Sequence, residues 1–79
     1  MPRVKSFPAE VKRELAAARK TYNCLHSPHE GLAVIWEEFS ELQECVFRRY
    51  WVETEARREL VQIAAICQRM AEDLQLLSD

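Results

Sequence analysis

A chain of 79 residues has room for one small domain. Its net charge of −2, with no block of basic residues, lacks the footprint of a nucleic-acid binder. No apolar run approaches the roughly 20 residues of a membrane span, and the opening MPRVKSF has charge with no apolar segment behind it, unlike a signal peptide. A cytoplasmic protein is therefore the expectation. The cysteines Cys24, Cys45 and Cys67 are odd in number and show no C-x-x-C spacing, which argues against a disulfide framework or a zinc site.

Residues 1–7 read as an N-terminal arm ahead of a helix from about Pro8 to Tyr22. Pro8 opens that helix, Glu10 lies in its first turn, and Val11, Leu15, Ala18 and Tyr22 make a thin apolar stripe. Lys12, Arg13, Arg19 and Lys20 make the segment basic. The connector Asn23–Ser27 follows, with Cys24 and His26 in the loop and His29 just inside the next helix; neither histidine is given a functional role.

The main helix starts at Ser27. Its hydroxyl caps, Pro28 suits the first helical position, and Glu30 completes an S-x-x-E capping box. Leu32, Ile35, Trp36, Phe39, Leu42 and Val46 recur at helical spacing and make a stripe for core or interface. Gly31, the only glycine, permits close backbone approach, by a ligand among other neighbours. A break is expected within 49–54, where aromatic and β-branched residues lower helix propensity, with Thr54 capping a third helix that runs to about Leu77. The rival is one unbroken helix, which suits a coiled coil. Ser78 and Asp79 are expected to fray. Arg48, Arg49, Arg57 and Arg58 flank the break as solvated helix ends or as contacts for phosphate. Trp51, at the turn, suits an interface or a lid. On the third helix Ala56, Leu60, Ile63, Cys67, Met70 and Leu74 form the stripe, and Cys45 and Cys67 read as small buried residues.

The chemistry lies in the acids. Glu37, Glu38 and Glu41 form E-E-x-x-E, and Glu38 and Glu41 project one turn apart from the same side. Alone, this is most simply a solvated face. Glu59, however, borders the apolar stripe of the third helix, where an acid is costly unless paired or bound to a metal. If the two helices pack antiparallel, Glu38, Glu41 and Glu59 converge into an oxygen-rich site of the kind that magnesium prefers.

The stretch H-E-G-L-A-V-I-W-E-E-F-S-E-L, followed by E-L-V-Q-I-A-A, resembles the MazG-type nucleoside triphosphate pyrophosphohydrolases of the all-α NTP pyrophosphatase superfamily. The resemblance spans roughly His29 to Leu74. It implies an all-α, MazG-like bundle of about three helices completed by homo-oligomerisation (dimer or tetramer). It also implies Mg2+, or Mn2+, held by Glu38, Glu41, Glu59 and Gln62. Gln62 stands where the family pattern has an aspartate and offers a neutral carbonyl oxygen instead of a charge. The expected reaction converts a nucleoside triphosphate to the monophosphate and pyrophosphate, with Glu37 or Glu38 as base and Lys20 holding the triphosphate. The composition agrees with oligomerisation: 48 % of the residues are hydrophobic, while a domain near this size buries only about 60 % of its surface. The alternative reading is a helical interaction module that keeps this fold without catalysis.

Overall fold

The computed structural model describes residues 6–48 and 50–76. Among them are three helices and no strand: α1 (Phe7–Thr21), α2 (Pro28–Phe47) and α3 (Glu53–Asp73). Arg49, Leu77, Ser78 and Asp79 lie outside the described residues, as do positions 1–5 of the expected arm.

α2 begins as its sequence dictates. Ser27 Oγ accepts from the Glu30 N–H (3.1 Å), and the Glu30 carboxylate reaches back to the N–H of His26 (2.7 Å). The first bond satisfies a donor that the helix start leaves open, and the second ties the residue before the cap to the first turn. α1 starts earlier than Pro8. Ser6 is its cap, with its hydroxyl accepting from Ala9 N–H (3.3 Å), so Ser6 and Phe7 belong to the helix and not to an arm. The break between α2 and α3 falls where expected, which excludes the unbroken helix. Thr54 does not cap α3, however. Val52 stands at the cap position, without a side-chain cap bond, and Thr54 lies within the first turn. The Arg48–Glu55 ion pair bridges the end of α2 and the start of α3.

α3 also stops short of Leu77. Gln75 adopts φ 57°, and the N–H groups of Gln75 and Leu76 bond back to the carbonyls of Glu72 (3.2 Å) and Ala71 (2.8 Å). This is a Schellman closure built on a residue other than glycine.

α3 is the central element. It packs against both α1 and α2, which do not pack on each other. Glu10 near the start of α1 pairs with Arg57 near the start of α3, while Arg19 near the end of α1 pairs with Glu72 and Asp73 at the end of α3, so these helices run parallel. α2 and α3 are antiparallel: Gly31 at the start of α2 meets Met70 near the end of α3. A Cβ on Gly31 would lie 2.6 Å from Met70 Sδ, so the close approach that the glycine permits is made by the half-buried Met70.

With two partners, α3 buries a wide arc: Ala56, Glu59, Val61, Ala65, Ile66 and Arg69. Val61 and Ala65 join Val11 and Leu15 of α1 in one core cluster. Leu60 and Cys67, expected on the buried stripe, are exposed, because the arc is centred one position away from the stripe read from the pattern. Cys45 is buried as expected. On α2, Ile35 and Leu42 are half-buried, whereas Leu32, Trp36, Phe39 and Val46 are exposed, Trp36 at 69 %. Trp36 is thus outside the core of the single chain. Phe47 and Trp51 are exposed as well.

Candidate metal centre

The antiparallel α2–α3 pair brings Glu38 and Glu41 of α2 against Glu59 of α3. One carboxylate oxygen from each lies within 4.8 Å of the others. Glu59 is buried, Glu38 half-buried and Glu41 exposed, so the trio spans the helix interface from core to surface. Among the described residues no lysine, arginine or histidine forms an ion pair with any of the three.

The electrostatic cost is visible in the acids themselves. The Glu38 carboxyl is pushed up to about 7, first by burial, then by the charge of Glu41, with Glu59 and Glu37 adding to it. Glu41 is raised as well, by desolvation and then by Glu59. A cation among these oxygens would relieve that repulsion. The donor set is all carboxylate oxygen, which suits Mg2+ and Mn2+ over softer metals. The residues present therefore fit such an ion.

Gln62 follows Glu59 by one turn of α3 and also faces α2. In the amide orientation that satisfies both its ends, Nε2 donates to Glu38 Oε2 (2.6 Å) and to Glu59 Oε1 (3.2 Å). Glu37 is exposed and outside the converging trio, although its charge is felt at Glu38. Lys20 is exposed in the last turn of α1 and does not line the cavity described next.

Because α1 and α2 lean on α3 without touching each other, a cleft remains above α3 between them. It forms a cavity of about 440 Å³, within the range of small-molecule sites. Ala18, Leu25, Val34, Ala65 and Ile66 supply apolar wall, and Tyr22, His26 and Arg69 lie at its connector end. Glu38 and Gln62 belong both to this cavity and to the carboxylate centre. The cavity thus reaches the carboxylate centre through Glu38.

The connector end is held by a cluster that the sequence reading did not anticipate. Asp73 accepts from the Leu25 N–H (2.8 Å) and from Arg19 (2.9 Å), and lies 3.8 Å from the buried Arg69. Arg69 also donates to the Asn23 carbonyl (2.6 Å) and packs over the Tyr22 ring. These contacts hold the Asn23–Ser27 connector, and with it the cavity wall, against α3. The one available signal was Leu25, an aliphatic residue alone in a polar loop.

Comparison with protein-family models, with curated proteins and with solved structures finds no match to this chain.

Proposed function

We propose that this chain is a divalent-cation-dependent nucleoside triphosphate pyrophosphohydrolase. One observation carries the reading. A trio of carboxylates without a basic partner among the described residues shares Glu38 with a cavity of ligand size. The resemblance of the two acidic motifs to the MazG-type enzymes supports the same conclusion.

Glu38, Glu41 and Glu59 are the residues to hold the ion, with the Gln62 carbonyl as a fourth oxygen. A bound divalent ion supplies charge withdrawal from a phosphoanhydride and acidifies water. The chain does the rest. The cavity takes the nucleoside and excludes water from it. Glu38, where cavity and centre meet, is placed to accept a proton from the attacking water, with Glu37 as its solvent-side neighbour. Lys20, in the last turn of the basic helix, adds positive potential for the triphosphate.

The exposed apolar face of α2 supports a homo-oligomer. Leu32, Trp36, Phe39 and Val46 lie along it, and Phe47 at the end of α2 is exposed too. Contiguous apolar surface of this kind marks an interaction site. That face also supports a second reading, a helical binding module without catalysis. Pyrophosphate release separates the two. The full chain, given a panel of canonical and modified nucleoside triphosphates with Mg2+ or Mn2+, is expected to release pyrophosphate, and a Glu38→Gln, Glu41→Gln double variant is expected to release none. Folded protein that releases pyrophosphate from no nucleotide favours the module.

A further inference from the structure

Arg69 is only 7 % exposed, and it lines the connector end of the cavity. A guanidinium carries five N–H donors and keeps its charge at any ordinary pH. Here Nη2 donates to the Asn23 carbonyl (2.6 Å), and the group lies over the Tyr22 ring. Nε has no hydrogen-bond partner among the described residues. Asp73 Oδ2, at 3.8 Å, is too distant to accept from it, and Asp73 directs its oxygens to the Leu25 N–H and to Arg19 instead. A buried cation with so few acceptors is costly. An acceptor brought into the cavity offsets that cost.

The charge around the cavity decides the kind of acceptor. Glu14, Glu30 and Glu38 line it, against the guanidinium of Arg69. A phosphate or carboxylate at this depth meets the repulsion of those acids. A neutral carbonyl oxygen does not, and it still accepts from Arg69. The apolar wall of Ala18, Val34, Ala65 and Ile66 suits the ring that carries such an oxygen.

We infer that Arg69 sets the base specificity of the cavity, with a guanidinium N–H donating to a ring carbonyl oxygen of the occupant. A base with an oxo group at that edge, such as hypoxanthine, is held. Adenine, with an amino group at the same position, sets donor against donor and leaves both unpaired. The inference rests on the nucleotide reading above for the occupant, and deepens it by naming the class of base.

The test uses the neutral nucleosides inosine and adenosine, which differ at that edge, so it needs neither a metal nor hydrolysis. In 15N-labelled full-length protein, inosine is expected to shift the Arg69 Nε–Hε resonance and to bind about tenfold more tightly than adenosine. Arg69→Lys keeps a charge beside Asp73 without the planar fork, and is expected to bind the two alike. Arg69 also holds the connector, so a second variant leaves it in place. Val34→Trp obstructs the cavity from α2 and is expected to lose inosine binding. Equal affinity of the native chain for the two nucleosides, binding of neither, an Nε–Hε resonance unmoved by bound inosine, or discrimination retained in Arg69→Lys overturns the inference. Pyrophosphate release from inosine and adenosine triphosphates at equal kcat/KM overturns it too, and leaves the hydrolase standing. Selective inosine binding by a chain that releases pyrophosphate from no triphosphate keeps the Arg69 site and sinks the hydrolase.

Discussion

α3 carries acids near both of its ends, and the two sets behave in opposite ways. At the C-terminal end, Asp73 takes the Leu25 N–H and Arg19, faces Arg69, and is held below its ordinary range chiefly by the Leu25 hydrogen bond. Glu72 is lowered too, first by the Gln68 amide and then by Arg19. Nearer the N-terminal end, Glu59 meets two further carboxylates, and Glu38 and Glu41 are raised. One residue class thus serves as a fastener where cations surround it and carries an electrostatic cost where they do not. An acid with partners contributes stability. Acids gathered without a basic partner cost stability, and a bound cation would relieve that cost.

The comparison breaks most sharply at Asp73. Asp73→Ala removes the acceptor for Leu25 N–H and leaves Arg69 buried without its carboxylate, so it is expected to cost about 3 kcal/mol. A lower urea midpoint at unchanged slope is the readout. At the other cluster the sign reverses. Glu38→Gln removes a repelled charge and is expected to stabilise the ion-free protein above pH 7 by about 1 kcal/mol, while abolishing any stabilisation by Mg2+.

The pH dependence carries the same contrast. The folded Glu38 binds its proton up to about 7, whereas an unfolded glutamate releases it near 4.5. Between those values the folded state holds more protons, so this residue makes stability fall as pH rises through the window. Asp73 and Glu72, being lowered, contribute stability that is present above their unfolded values and lost as pH falls through their folded ones. Melting temperature against pH is therefore expected to be highest on the mildly acidic side. Asp73→Asn should flatten the acid limb and Glu38→Gln the limb towards neutral. The smallest effect belongs to the turn that follows Asp73. Gln75→Gly relieves the left-handed conformation at φ 57° and is expected to add about 0.5–1 kcal/mol, read as a higher melting temperature.

How far the sequence reached can be judged residue by residue. The start of α2 was legible, because Ser27, Pro28 and Glu30 are local signals acting within one turn. The convergence of Glu38, Glu41 and Glu59 was legible because a hairpin was the natural consequence of a break near residue 50. The start of α3 was not, since Val52 offers no cap and an ion pair, Arg48–Glu55, spans the turn instead. Trp36 shows a further limit. Helical spacing marks it as apolar-face, but one chain's pattern does not say what covers that face. The fastening cluster was invisible for a different reason: Arg19 and Asp73 stand 54 residues apart, and nothing local selects that pair from the many possible.

The most direct measurement of the central claim is thermal unfolding of the full chain above pH 7, with and without Mg2+, beside Glu38→Gln, Glu41→Gln. A metal centre predicts a higher melting temperature with Mg2+ for the native chain, since an ion at a hundred times its dissociation constant adds about 2.7 kcal/mol, and no shift for the double variant. A native chain that melts at the same temperature in both solutions, at Mg2+ levels that saturate such sites, would contradict the account and leave the acids as a costly surface feature.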